Sequence, residues 1–418
     1  MLNKGQIPLQ EPIVSIGLVL PEDQQKSLTI QSSDSKKKKH ILIQNGLLLI
    51  DSKPSPRIHL TQPTSDSFFT LYPVRAGRGF HWEKQITIQV LGEIEISILN
   101  GYLFVVNKIP LEQYLMCVAT SEMSGECPSA LLESQTIAAR SWLLAADEQK
   151  HANLGIDACN DDCCQRYQGI GNLTDTAIKS SLATRGQVII HQNAICDTRY
   201  SKSCGGVSEN NDFVWKEKPK PYLRAILDSS EIEIPNLQSN EGFRNWIEQD
   251  SSCYCSPNTI PENELYRYLG HVDKSGSYFR WSVSYNQSEL LKLINQKTKS
   301  SFDFIKSISP LKRGLSGRII KIQIVGNIKG DEFKITLDSE YEIRRVLHPN
   351  FMFSSAFYIE ESINTNSNIN TITFHGAGWG HGVGLCQIGA LGMALNDYTS
   401  TQILKHYFKS TELKRIYD

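Results

Sequence analysis

The sequence predicts a mixed α+β fold, with β-rich regions toward both ends of the chain around a helical segment. Three observations carry this. Short β-branched and leucine-rich runs broken by turn dipeptides fill residues 12–105. At Pro110 this pattern gives way to two helical stretches, and from Gln187 onward strand-like runs return before a closing glycine-rich loop and two helices.

In chain order, Ile13–Leu20, Ile41–Ile43, Leu47–Ile50, Ile86–Leu91 and Ile94–Ile98 have strand length and composition. Asn45-Gly46 and Asn100-Gly101 lie between such runs, and Asn-Gly pairs tolerate the positive φ of tight hairpin turns. Leu111–Ala119 and Pro128–Glu148 read as helices interrupted by Ser124-Gly125; Pro128 suits a helix start because its missing N–H is not needed there. Gln187–His191 and the stretch around Ala194 are strands, Glu262–Leu269 and Ser288–Thr298 amphipathic helices, and Arg318–Val325 and Glu332–Leu337 strands again. Gln387–Asn396 and Thr401–Phe408 form the last helices. The division that follows is a β-rich region (1–105), the first part of a core (106–228), a more polar accessory region (229–310) and the C-terminal part of the core (311–418).

Composition narrows the function classes. Of 418 residues, 40% are hydrophobic and 21% charged, which excludes a disordered chain. Lysine plus arginine number 43 against 44 acidic residues, a net charge of −1 that argues against nucleic-acid binding through bulk charge. The run Lys36–Lys39 before His40 reads as a solvated loop. No stretch is apolar enough to be a transmembrane helix, and Met1–Pro8 contains no apolar core of an export signal. Ten cysteines are too few for a disulfide scaffold; Cys159, Cys163 and Cys164 cluster, as do Cys253 and Cys255.

Four places bear chemistry. Glu122 falls where the two helices meet, flanked by Val118 and Met123, so partial burial would favour its protonated form and suit a general acid. Arg140 follows on the second helix, either facing the same cleft or lying on the surface. His151, Cys159, Cys163 and Cys164 supply one imidazole and three thiols, a tetrahedral Zn²⁺ set, with a disulfide or plain buried thiols as alternatives. Tyr200, Lys202 and Ser203 precede Gly205-Gly206 and offer hydrogen bonds to a polyhydroxylated or anionic ligand; Cys204 beside them raises a cysteine nucleophile with His381 or His375 as base. Residues 376–384 hold five glycines with Trp379 and His381 but lack the phosphate-binding Lys-Ser/Thr. Such glycines let backbone approach a ligand, and Trp379 offers a flat face to a sugar ring; a purely structural turn has the same composition.

Together these segments resemble the SpoIID/LytB family, the stage II sporulation protein D and amidase-enhancer proteins. The blocks are Leu111–Leu115 with Ser121-Glu122-Met123 and Gln135–Arg140; Cys159 with Cys164–Gly169; Tyr200 with Gly205-Gly206, Val214-Trp215 and Pro221–Arg224; and Gly378–Gly384 with Gln387–Ala390. Ser316–Arg318 and Glu342–Arg344 also fit, so the resemblance spans residues ~105–415. It implies a peptidoglycan lytic transglycosylase that cleaves the MurNAc–GlcNAc β-1,4 bond to a 1,6-anhydro end, with Glu122 as acid and base. It also implies glycan contacts by Arg140, Tyr200 and Lys202, with Ser203, Trp379 and His381 in the same motifs. A structural Zn²⁺ on His151, Cys159, Cys163 and Cys164 is implied too, Cys163 standing where the family has histidine.

The partners implied are glycan strands and a cell-wall amidase, and the setting is extracytoplasmic. The rival expectation is a non-catalytic glycan binder that enhances such an amidase. A cysteine hydrolase built on Cys204 is the third, and the resemblance speaks against it.

Overall fold

The computed structural model of the protein describes residues 2–64, 66–79, 83–249, 252–270, 276–363 and 369–418. It is an α+β structure that divides into two compact units. Unit 1 comprises Met1–Thr198, Arg267–Lys274 and Glu412–Asp418; unit 2 comprises Arg199–Tyr266 and Ser275–Thr411. The main boundary thus falls inside segment 106–228, and the accessory region 229–310 contributes to both units.

Unit 1 is built on a five-stranded sheet in the order Ala158–Cys159, Ile13–Val19, Tyr102–Pro110, Glu93–Leu99, Ile58–Leu60. Val14 and Ile16 pack into its core opposite Ile109 and Asn107 of the neighbouring strand, and Gly17, Leu18 and Val19 are buried as well. A six-stranded sheet runs Lys53–Ser55, Leu47–Ile50, Lys39–Gln44, Ser27–Ser32, Phe69–Ala76, Lys84–Val90. The hairpins at Asn45-Gly46 and Asn100-Gly101 have positive φ at both residues (53° and 76°, 54° and 80°), as their sequence requires. The lysine run reaches into a strand at Lys39, and Lys37 pairs with Asp51 at 3.0 Å.

Among the described residues, three α-helices complete unit 1: α1 (Leu111–Glu122), α2 (Ser129–Ala145) and α3 (Asp175–Ala183). Both α1 and α2 are buried on nearly all sides, which their many alanines, leucines and small hydroxyls permit. The hydroxyls of Ser134, Thr136 and Ser141 donate to carbonyls four residues back at 2.7–2.8 Å, so their burial leaves no unmet donor. Pro128 stands as the N-cap of α2, one position before the first turn.

Unit 2 contains the antiparallel sheets Arg280–Asn286, Ile369–Ala377, Phe357–Ile363 and Phe304–Arg313, Ile319–Ile328, Asp331–Leu337. They share a core with helix Gln287–Thr298 through Trp281, Leu290, Ile294, Ile305, Ile322 and Phe374. The predicted helix Glu262–Leu269 is shorter, ending at Leu265. Tyr200–Ser201 pairs in parallel with Leu385–Cys386, which leads into helix Gln387–Leu395.

Candidate active site

Glu122 is the last residue of α1 and is 7% exposed. The loop 159–168 clamps this helix end. The Arg166 backbone N–H donates to Glu122 Oε1 at 3.0 Å, and the Gln168 N–H donates to Ser121 Oγ at 2.9 Å. Ser121 Oγ donates in turn to Cys117 O at 2.6 Å. The Arg166 guanidinium is itself held by Asp162 at 2.8 and 3.1 Å. On the far side of the helix end, Ser124 N donates to Tyr268 O at 2.9 Å. The end of α1 that carries Glu122 is therefore held by backbone from two separate parts of unit 1, the loop 159–168 and Tyr268.

The same loop carries the predicted ligand set. His151, Cys159, Cys163 and Cys164 bring their ligand atoms within 4.8 Å of one another, a group able to hold a metal ion. Cys159 Sγ lies 3.1 Å from Cys163 Sγ, and Cys163 Sγ lies 3.6 Å from His151 Nε2. Three soft sulfurs and one imidazole at this spacing fit a tetrahedral ion of the zinc type. Hydrogen bonds from Cys159 and Cys164, with His151 adding to them, hold the Cys163 thiol far below the usual thiol range, the polarity a ligand needs. Leu20, Val106 and Ile156 pack around Cys159. Asp161 anchors the loop by accepting from Gly77 N (2.9 Å) and Arg78 N (2.7 Å), and Arg78 grips Asp23 at 2.6 and 2.8 Å. Only Gln165 lies between Cys164 and Arg166, so the ligand cluster and the Glu122 contact are one local structure.

Arg140 is placed otherwise than expected. It has no exposed surface and forms a fork on Glu112 at 2.9 and 2.5 Å, while Nη1 donates to Gln187 O at 2.9 Å. Tyr417 Oη donates to the same carboxylate at 2.6 Å. This side chain is neither surface nor cleft: it ties α1, α2, the strand at Gln187 and the chain end together, and is not offered to a ligand.

In unit 2, Trp379 and Ser203 exchange backbone hydrogen bonds of 2.8 and 3.1 Å, so the glycine-rich loop and the Tyr200–Ser203 stretch form one surface. Trp379 is partly exposed and stacks on Phe353 (centroids 4.4 Å apart, 18°), with Tyr278 at 4.8 Å. Part of its ring is thus packed rather than presented. Tyr200 and His381 are partly exposed, and Lys202 is 8% exposed. Ser203 is fully buried, with its hydroxyl accepting from Gly205 N at 3.3 Å, which removes it as a ligand contact. The loop glycines are structurally required: Gly382 has φ +74°, and a Cβ there would run into the buried Arg318 guanidinium.

The cysteine-nucleophile expectation finds no support in the geometry. Cys204 is buried with its Sγ 3.7 Å from Cys255 Sγ. His375 pairs with Glu360 at 3.1 Å, and His381 Nδ1 accepts from Val383 N at 3.0 Å.

Comparison with known proteins bears on both units. A family model described as Stage II sporulation protein matches residues 100–191, which hold Glu122 and all four ligand candidates. Over this segment the chain is similar to the SpoIID/LytB family. A second model, a domain of unknown function (DUF8618), matches residues 209–384. The chain is 22% identical over 327 residues to the Stage II sporulation protein D of Bacillus amyloliquefaciens, covering 74% of the chain and 75% of the relative. It is 24% identical over 310 residues to the Amidase enhancer of Bacillus subtilis, covering 71% of the chain and 39% of that longer protein. An uncharacterized protein of Brachyspira hyodysenteriae is 24% identical over 327 residues, 78% of the chain and 72% of the relative. Among the described residues no helix is long and apolar enough to cross a membrane.

The contacts that hold the site went unread in the sequence. Arg166 and Gln168 act through backbone N–H groups, which leave no side-chain signature; only their place beside Cys164 pointed to them.

Proposed function

We propose that this SpoIID/LytB relative acts on the cell wall as a lytic transglycosylase of peptidoglycan glycan strands, in an extracytoplasmic setting. The observation that carries the reading is the buried Glu122 carboxyl at the end of α1, clamped by the ligand-bearing loop.

In this reading Glu122 donates its proton to the oxygen of the MurNAc–GlcNAc bond as the C1–O bond breaks. The C6 hydroxyl oxygen of the same MurNAc bonds to C1, and its proton passes to the Glu122 carboxylate, restoring the acid. One carboxyl suffices because no water is activated, in contrast with the carboxylate pairs of hydrolysing glycosidases. Zn²⁺ on His151, Cys159, Cys163 and Cys164 would supply a rigid tetrahedral anchor for the loop. The loop, through Arg166 N and Gln168 N, fixes where Glu122 points. Tyr200, Lys202, Trp379 and His381 are assigned to glycan contact.

Glu122→Gln keeps the side-chain shape and removes the proton donor. The expected result is a loss of about 10²–10⁴-fold in strand cleavage with glycan binding retained. The amidase-enhancing binder is the second reading, favoured by the likeness to an Amidase enhancer. It is adopted instead if wild type cleaves nothing and Glu122→Gln still stimulates a cell-wall amidase in full.

A further inference from the structure

Unit 2 contains a second group of metal-binding side chains that no sequence motif announced. Cys204, Cys255, Cys386 and Asp228 are all buried, and their ligand atoms lie within 4.8 Å of one another. The three thiols come from distant places: Cys204 is 51 residues from Cys255 and 182 from Cys386. We propose that these four residues form a second, structural Zn²⁺ site, independent of Glu122 and of the His151 cluster.

Three features argue for it. The first is spacing. Sulfurs bound to one tetrahedral zinc at ~2.3 Å stand about 3.8 Å apart, and the Cys204–Cys255 separation is 3.7 Å. A disulfide would bring two sulfurs to ~2.05 Å and leave the third thiol and the carboxylate without a role.

The second feature is Asp228. Its carboxylate is fully buried, and its ion-pair partner, the His406 imidazole, lies 3.7 Å away; His406 Nε2 is buried and makes no hydrogen bond. A buried carboxylate among three thiols, its imidazole partner beyond hydrogen-bond distance, is costly, and a divalent ion offsets the cost.

The third feature is the surrounding hydrogen-bond shell, of the kind that orients metal ligands. Tyr407 Oη donates to Asp228 Oδ1 at 2.6 Å, and Cys255 N donates to Oδ2 at 3.2 Å. Cys386 Sγ accepts from Cys204 N at 3.2 Å and from Gly389 N at 3.3 Å, as the N-cap of helix Gln387–Leu395. An ion here would pin the Cys204–Gly206 turn, Asp228, the Cys253–Ser256 turn and the end of the glycine-rich loop to one point, fixing the surface that carries Trp379.

The test is zinc content per chain, by elemental analysis of protein purified without chelator, for wild type, Cys159→Ser, Cys255→Ser and the double variant. Two ions in wild type, one in each single variant and none in the double support the proposal. One ion in wild type that is lost in Cys255→Ser but kept in Cys159→Ser also supports it, and fails the His151 cluster instead. No zinc in Cys159→Ser overturns the second site, as does a Cys204–Cys255 or Cys204–Cys386 disulfide found by peptide mapping. Should Cys255→Ser not fold, Asp228→Asn is measured in the Cys159→Ser background. Zinc release to a chelator at least about ten-fold faster than from Cys159→Ser alone is expected, and an unchanged rate overturns the proposal.

Discussion

Glu112 and Arg140 meet in a bidentate pair with almost no exposed surface, and the carboxylate also accepts from Tyr417 Oη and Gly186 N. Burial alone would raise the Glu112 carboxyl, but the Arg140 hydrogen bonds and charge outweigh it and hold the group below its ordinary 4.5. A carboxyl depressed in the folded state contributes stability above its unfolded value, and that contribution is lost as pH falls through the folded value. Thermal melts between about pH 5 and pH 3 should therefore fall more steeply for wild type than for Glu112→Gln/Arg140→Met. At neutral pH Arg140→Met alone should cost about 3–5 kcal/mol, because it strands a buried carboxylate, whereas the double variant recovers much of that loss. Denaturant melts of the three proteins check both outcomes. An arginine eighteen residues after Glu122 gave no hint of this role, since its partner Glu112 lies a full helix away and the deciding fact is burial.

At the scale of elements, strands and helices with strong local patterns were legible and those without were not. Ile13–Val19, Leu47–Ile50 and Glu93–Leu99 follow from β-branched alternation and from Asn-Gly turns. Asn240–Glu248 and Arg280–Asn286 carry readable periods (Phe243, Trp246 and Ile247; Trp281, Val283 and Tyr285) inside a stretch polar enough to mask them, whereas Pro310 breaks the pattern of Phe304–Arg313. The glycines divide in the same way. Gly101 has φ +80° with nothing within 4 Å of a would-be Cβ, so Gly101→Ala should cost only about 1–2 kcal/mol of backbone strain. Gly382→Ala adds to similar strain an overlap with the buried Arg318 guanidinium, and should cost at least about twice as much. Urea midpoints of the two variants test the contrast.

For the molecule as a whole, the candidate site was legible where its parts are close in sequence. His151, Cys159, Cys163 and Cys164 lie within one short stretch, and the structure brings them together beside Glu122. The group of Cys204, Asp228, Cys255 and Cys386 is assembled by the fold of unit 2 from positions too far apart to suggest one another. If the His151 cluster holds zinc that positions Glu122, chelation should lower the melting temperature and cleavage together, and added Zn²⁺ should restore both. In Cys159→Ser, added Zn²⁺ should restore neither. The central claim concerns how the glycan bond is broken, and wild-type digestion of purified glycan strands in H₂¹⁸O reads it directly by mass spectrometry. The account predicts ends lighter than hydrolysed ends by one water and free of ¹⁸O, because the C6 hydroxyl supplies the attacking oxygen. Reducing ends that carry ¹⁸O would contradict it and make the protein a hydrolase.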